Sequence, residues 1–492
     1  MTRPARWRPL IGGVGAGLLL TASLPPFGWW PLAFGGAAVL AHLLGGRGAA
    51  GRAAVGAATG IGFLGPGLFW MSEFSAPGYV LAVLIETGLF TLGAVAVPPG
   101  RARLVGLPAA LLLAEALRGR WPFGGVPIAT LAETQTGGPF ALVARLGGPL
   151  LIAALVALAG AALAAAGHSR RQALTAGVVV AVVAVLGAVV PHGRVVGALD
   201  AVLVQGGGDR GTRATDTPDG AVFDRHLEAS GGIGPGPGLV LWPEDVVELT
   251  GGDVATSEEE GALADLARRT GATVVAGVVT TVGDRFVNES VAWGPDGAVV
   301  GRYVKNQRVP FGEYIPLRSL VERVADVSAV PRDATVGTGP GILADRLGVV
   351  ISYEVFFPRR ARAALDAGAE VVLVPTNASS FSTTQMPALE LAAARMRAVE
   401  SGRWVLQAAP TGFSAVIDPA GHVREASPLG APVLLPAVVE RRTGHTPYTE
   451  VGDAPLIVLA ALALAASWAF GARADRSTPD LRRRAAGSPA PR

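Results

Sequence analysis

Three polar side chains close apolar runs in this sequence, and their types fit acyl-transfer chemistry. Glu244 closes GLVLWPE, Lys305 closes GRYVK and Ser352 closes LGVVIS. Attack on an ester or amide carbonyl needs a nucleophile, a proton acceptor and a donor for the developing oxyanion. A hydroxyl, a carboxylate and an ammonium supply one of each. Taken singly, each residue has an ordinary reading. A Glu after Trp-Pro suits a surface turn, a Lys at a strand end is usually solvated, and a strand-end Ser is usually a structural hydroxyl. Their shared placement gives them weight, because ligands of α/β sheets bind outside the carboxyl ends of the strands.

The elements that must hold these residues can be read from periodicity. Short apolar runs predict strands at 198–205, 238–244, 272–280, 347–352, 370–376 and 403–410. Helical patterns fall at 257–270, 358–368 and 386–401. Two hairpins carry their own turn signals: SVAWGPDGAVVGRYVK turns at Asp296-Gly297, and SAVIDPAGHV turns between Pro419 and Gly421. Strands alternating with helices, plus hairpins, give an α/β domain with a mixed sheet.

That domain is flanked by apolar sequence. Half of the 492 residues are hydrophobic and 16% are charged, against about 25% charged in soluble proteins. A span of roughly 20 apolar residues crosses a bilayer. Seven candidates precede the α/β region, at about 9–24, 29–45, 53–71, 78–98, 103–118, 139–166 and 172–190, and an eighth covers 454–471. The expected division is a transmembrane domain of about seven helices at 1–195, an α/β domain at 196–450, a C-terminal transmembrane helix at 451–472 and a cytoplasmic, disordered tail at 473–492. The first segment follows Arg3, Arg6 and Arg8, as a cleavable signal peptide would. It is read as an anchor, because a second span follows almost at once across SLPPFGWWPL.

Cytoplasmic loops are rich in Lys and Arg. With the N-terminus inside, Arg47 and Arg52, Arg101 and Arg103, Arg170 and Arg171, and the arginines from Arg473 to Arg484 all fall on the inner side. The α/β domain is then extracytoplasmic. Arg118 and Arg120 are the exception, in an outer loop. These arginines account for the net charge of +3 without a nucleic-acid partner. There is no cysteine, which excludes disulfides and thiolate metal sites, and the six histidines lack ligand spacing. No metal or other cofactor is expected. GGVGAGL at 12–18 is glycine-rich like a phosphate loop, but inside an apolar span it reads as a close helix-packing surface.

LVLWPE, YVKNQRVPFGEYIP, GVVISYEVFFP, VLVPTNASSF and ARMRAVESGRWVLQAAPTGFSAVIDPAGHV occur in that order. This series resembles the nitrilase superfamily. With the flanking spans and LPPFGWWPLA, residues 9–471 resemble the apolipoprotein N-acyltransferases. The resemblance implies a membrane α-helical bundle of about eight transmembrane helices plus an extracytoplasmic α/β nitrilase-like domain, an αββα sandwich, in the bacterial cytoplasmic membrane. It implies a monomer that takes an acyl chain from a phospholipid such as phosphatidylethanolamine. The chain passes to the α-amine of diacylglyceryl-cysteine at the N-terminus of an apolipoprotein. It assigns Glu244, Lys305 and Ser352 to the catalytic positions. Glu313 in PFGE, with Tyr353 and Glu354 after the nucleophile, takes supporting or substrate-binding roles.

At the nucleophile position this sequence departs from the family, where a cysteine stands. A thiol titrates near ~8.5 and a glutamate near ~4.3, a gap of roughly 5–6 kcal/mol. A hydroxyl is a far weaker acid, and its proton must leave as the new bond forms. His445 lies outside the matched motifs and His422 sits at the end of the last of them, in a hairpin, and neither offers a partner. Serine here implies an oxyester and slower acylation. Three accounts fit: a functional natural variant, a replacement in a poorly active paralogue, and an introduced substitution that traps substrate. Outside this enzyme class, a lipid- or lipoprotein-binding relative or a membrane-tethered amidase remain the alternatives.

Overall fold

Helices form at each apolar stretch of the N-terminal region: α1 (Arg8–Ala22), α2 (Pro31–Leu44), α3 (Ala49–Gly67), α4 (Ala76–Ala96), α5 (Arg103–Arg118), α6 (Ala144–Ala166) and α7 (Arg170–Val189). The computed structural model describes residues 7–73, 75–208, 218, 220–250, 257–323, 326–328, 330–378 and 381–486. Among these, four segments are long and apolar enough to cross a membrane: Ala76–Ala96, Ala141–Ala166, Arg170–Val189 and Ala454–Gly471. Arg8–Ala22 and Pro31–Leu44 are apolar but shorter. The glycine-rich stretch packs as expected. A Cβ on Gly17 would overlap the Thr59 carbonyl oxygen, so α1 and α3 cross in direct backbone contact.

The α/β domain contains two facing sheets. Its strands are β1 (Arg194–Gln205), β2 (Leu239–Leu241), β3 (Val247–Thr250), β4 (Thr273–Val282), β5 (Arg285–Trp293), β6 (Val299–Val304), β7 (Asp333–Ala334), β8 (Leu347–Val349), β9 (Val371–Pro375), β10 (Val405–Ala408), β11 (Ala415–Ile417), β12 (Val423–Ala426) and β13 (Val433–Thr443). Its helices are α8 (Ala221–Ser230), α9 (Glu258–Thr270), α10 (Arg318–Val321), α11 (Pro358–Asp366), α12 (Met386–Ser401) and α13 (Pro447–Val451). One sheet runs β13-β1-β2-β4-β5-β6 with β3 and β7 attached, and the other runs β12-β11-β10-β9-β8. Parallel and antiparallel pairs mix in both sheets, with β1-β2-β4 and β8-β9-β10 parallel and the two expected hairpins antiparallel.

Leu203, Leu241 and Val275 of the first sheet meet Val349, Leu373 and Leu406 of the second in a dry layer between the sheets. On the outer face of the first sheet, Trp242 and Val274 pack with Phe223 of α8 and Leu263 of α9. This gives the expected αββα order, with one addition. The outer face of the second sheet, through Phe357, Leu365, Leu389 and Met396, belongs to the same buried cluster as Leu64, Phe90 and Ile152 of the N-terminal helices. One helical layer of the sandwich therefore rests on the bundle and shares its core.

Four local expectations change. β13 pairs antiparallel with β1 along its length, including Pro436 opposite Val202. The proline concealed it as a strand, yet β13 is an edge, where a missing N–H is tolerated. α8, short and amphipathic, was also not anticipated. The strand read to 352 stops at Val349, because the Ile351 amide is taken by Glu354 Oε2 at 2.9 Å. Finally, the last helix, α14, runs Ala454–Ala486. It runs past Gly471 and Pro479 over part of the segment expected as a tail. Residues 487–492 lie outside the described residues.

Candidate active site

Lys305 follows β6 directly and its side chain is 2% exposed. Nζ donates to Glu244 Oε1 at 2.8 Å and to Glu313 Oε1 at 2.7 Å. Burial alone would lower its pKa, but the two carboxylates outweigh burial and hold it above the usual lysine range. An ammonium has three protons, so one remains for a third acceptor. Glu244, three residues beyond β2, is also buried, and its pKa is raised by burial against the pull of Lys305. Glu313 is fixed from its own loop, where Oε2 accepts the Val309 amide at 2.8 Å.

Asn288 completes this cluster, donating to Glu244 Oε1 at 2.9 Å and to Glu313 Oε1 at 3.2 Å. Sequence reading missed it. The hairpin turn at Asp296-Gly297 was a usable signal, because its register sets Asn288 beside Lys305, whose amide donates to the Asn288 carbonyl at 2.9 Å.

Ser352 opens a tight helical turn, Ser352–Phe356, with φ of +46°. Left-handed backbone is uncommon away from glycine. Such strain, about 1–3 kcal/mol, persists only where surrounding contacts impose it. Here Glu354 imposes it. Its fully buried carboxylate accepts the Ile351 amide through Oε2, and the Asn306 and Gln307 amides through Oε1 at 2.8 and 2.9 Å. Tyr303 Oη donates to it at 2.9 Å. One side chain thus ties the residue before Ser352 to the residues after Lys305, across the two sheets. Glu354 is saturated by these partners, and Tyr353 donates its hydroxyl to the Gly125 carbonyl at 3.0 Å. Both hold the site together rather than face into it.

A further acid lies here that the sequence reading did not single out. Glu390 of α12 is 2% exposed and accepts a short hydrogen bond from Thr376 Oγ1, just beyond β9. Its carboxyl is pushed up to about 7 by burial, opposed by the Thr376 hydroxyl, raised further by Glu244, and lowered by the nearby Lys305 and Ser352. The structure thus gathers Glu244, Lys305, Glu313 and Asn288 in one bonded cluster, ties the turn of half-buried Ser352 to it through Glu354, and sets buried Thr376 and Glu390 nearby.

Comparison with known proteins divides the chain as the fold does. Residues 16–162 match the apolipoprotein N-acyltransferase N-terminal domain, and residues 226–447 match carbon-nitrogen hydrolase. The apolipoprotein N-acyltransferase of Mycolicibacterium smegmatis is 31% identical over 94% of this chain and 84% of its own length. That of Pseudomonas paraeruginosa is 31% identical over 98% and 99%. The chain belongs to the apolipoprotein N-acyltransferase family. Among solved structures, a mutant of the Nesterenkonia AN1 amidase from the nitrilase superfamily aligns with 55% of this chain and 98% of its own, at 23% identity and a TM-score of 0.35.

In this apolipoprotein N-acyltransferase chain the loop between α5 and α6 reaches the candidate site. Besides the Tyr353–Gly125 bond, Arg359 donates to the Gly119 and Gly124 carbonyls at 3.2 and 3.1 Å and to Gln307 Oε1 at 2.7 Å. Phe123 meets Phe311 edge-on, their centroids 6.1 Å apart. The loop that carries Glu313 therefore touches the helical region. The two outer-loop arginines that broke the charge pattern are also accounted for. Arg118 is fully buried against Glu86 at 2.5 Å and Glu115 at 2.9 Å. Arg120 pairs with Asp453 at 2.8 Å. Both are structural ion pairs and carry no free positive charge.

Proposed function

We propose that this protein transfers an acyl chain from a membrane phospholipid to the α-amine of diacylglyceryl-cysteine in apolipoproteins, through an acyl-enzyme on Ser352. The observation that carries this reading is the Glu354 clamp. It couples the turn that presents Ser352 to the strand end that presents Lys305, with Glu244 and Glu313 on the ammonium.

In acylation, Ser352 Oγ attacks the carbonyl carbon of a phospholipid ester and gives its proton to a carboxylate, which the family pattern makes Glu244. The third proton of Lys305 meets the oxyanion. Collapse releases the lysophospholipid, whose glycerol oxygen takes the proton. In the second half, the acceptor amine attacks the oxyester, and its proton passes through Glu244 to the departing Ser352 oxygen. Glu313 and Asn288 hold Lys305 and Glu244 in place, while Tyr353 and Glu354 support the turn. No cofactor enters this scheme. The contacts between the site loops and the α5–α6 loop favour a lipid donor such as phosphatidylethanolamine, because they set the site against the helical region. We place the chain as a monomer in the bacterial cytoplasmic membrane with eight spanning helices, the boundaries near 195 and 450, and the α/β domain extracytoplasmic.

The test is mass spectrometry of the intact protein after incubation with phosphatidylethanolamine vesicles, with and without Ser352→Cys. Both forms should gain one acyl chain at position 352, the cysteine form faster and as a hydroxylamine-labile thioester, since sulfur is the better nucleophile. Lipid binding without an adduct in either form would make the protein a lipid-binding relative. Ammonia release from small amides would make it an amidase.

A further inference from the structure

A serine at this position needs a base for a proton that does not leave on its own, and the carboxylate assigned by family pattern, Glu244, is ion-paired through Oε1 with Lys305. Both hydrogen bonds to Glu244 from Lys305 and Asn288 converge on Oε1. A second buried carboxylate, Glu390, lies close enough to Ser352 for the hydroxyl to lower its pKa. Glu390 projects from α12, which packs directly on the Ser352–Phe356 turn. It is held by Thr376 at the end of β9, next to the strand that leads to Ser352. Among the described residues no ion pair engages Glu390, and burial raises its pKa although Lys305 is near enough to lower it.

We propose that Glu390 is a catalytic residue that accepts the Ser352 proton during acylation, with Thr376 fixing its carboxylate. This rests on the acyl-enzyme reading above and changes one step of it. As Ser352 Oγ bonds to the ester carbonyl carbon, the O–H bond breaks and the proton moves to a Glu390 oxygen, while the carbonyl electron pair moves onto its oxygen. On collapse the C=O bond re-forms and the bond to the glycerol oxygen breaks. That oxygen takes the proton back from Glu390. The products are an acyl oxyester on Ser352 and a lysophospholipid hydroxyl, with Glu390 ionised again. No oxidant, metal or further reactant is required.

The energetics favour this assignment. General-base catalysis is most effective when the base titrates near the working pH, and Glu390 is raised to about 7, chiefly by burial. The groups that face it are Glu244, which raises it further, and Lys305, Thr376 and Ser352, which lower it. Its ionised, proton-accepting form grows as pH rises through about 7, so acylation of Ser352 should rise over the same range. A cysteine in the same place has a much smaller barrier to losing its proton and should depend less on this base.

The experiment measures single-turnover acylation at residue 352 with a fluorescent phosphatidylethanolamine, in the full-length protein in detergent micelles, from pH 5.5 to 9. Four forms are compared: the serine protein, Glu390→Gln, Ser352→Cys and the double variant. The serine protein should accelerate about tenfold per pH unit below pH 7 and level off above it. Glu390→Gln should lower acylation at least 100-fold in the serine protein and remove the inflection, but cost less than tenfold in the cysteine protein. The double variant also reports folding, because its adduct requires an intact site. A flat pH profile in the serine protein overturns the proposal without any variant. Equal losses in the serine and cysteine backgrounds overturn it too, by making Glu390 structural. An adduct in no form removes the acyl-enzyme reading and this step with it. An adduct in the serine protein that persists in Glu390→Gln removes this step alone.

Discussion

Lys305 has two of its three protons committed to carboxylates and is almost fully buried. A lone buried ammonium would be neutralised or expelled, and here two acids are needed to hold one cation. The cluster carries one more negative than positive charge, which suits a cycle that must bind and release protons. Its residue types were legible in the sequence, as were the strand ends that present them. Asn288 and Glu390 were not singled out. Asn288 needs the hairpin register, and Glu390 lies in MPALELAAARMRAVES, where an acid on a helix reads as a solvated face until α12 is docked on the turn. The residue-scale prediction concerns the proposed cation and base. Lys305→Met removes the oxyanion donor while keeping the stem, and should cost about 3–4 kcal/mol of transition-state stabilisation, or 10²–10³ in turnover. Glu244→Gln should fall at least as far, since it loses the charge that holds Lys305 and the base for the amine. Acyl transfer to a diacylglyceryl lipopeptide measures both, and near-parental turnover in either variant would show that its role is misassigned.

At the scale of elements, the site depends on how closely backbones approach. Gly337 lies flat against the end of β6. Its amide donates to the Lys305 carbonyl at 2.9 Å, and a Cβ there would overlap the Val304 carbonyl oxygen and sit 3.1 Å from that of Lys305. Gly337→Ala must therefore push the Val304–Lys305 backbone aside, and with it the ammonium. A shift of tenths of an ångström in a preorganised site is expensive, so turnover should drop at least tenfold with a smaller change in apparent KM. Gly339→Ala is the control: its Cβ would meet the Tyr303 ring at an ordinary 3.6 Å, and turnover should stay within about twofold. If the two alanines behave alike, β6 is not the element that sets the ammonium. The elements themselves were largely readable. Parallel strands buried on both faces appear as continuous apolar runs, and hairpins announce their turns. β13 was hidden by Pro436, and β8 appeared too long because the Glu354 bond that ends it comes from a side chain.

The whole molecule has two ends that differ in chemistry. At one end Arg103 lies against Gly45, Arg52 sits over the Trp468 ring, and Trp468 Nε1 donates to the Ala96 carbonyl at 2.7 Å. The loops after α2 and α4 and the middle of α14 therefore meet there. The α/β domain docks at the other end. Gln385 bonds to the Pro66 carbonyl at 2.8 Å, Tyr353 to Gly125, and Arg395 to the Thr136 carbonyl at 2.8 Å. Arg52 and Arg103, two of the arginines expected on an inner side, thus lie at the end away from the domain, and Arg118 and Arg120, at the domain end, are neutralised by carboxylates. Positive charge in short loops fixes which side stays in the cytoplasm. A reporter active only in the cytoplasm, fused at Arg47, Arg103 or Arg171, should give signal. Fusions within 210–440 should be silent with it and active with a reporter that works only outside. Moving arginine to the domain end, as Asp453→Arg beside Arg120, should weaken this bias, because it replaces a neutral pair with two free cations on the side proposed to be outer. A cytoplasmic signal from the 210–440 fusions in the unaltered chain would reverse the orientation and separate the site from the lipoprotein acceptor proposed for it.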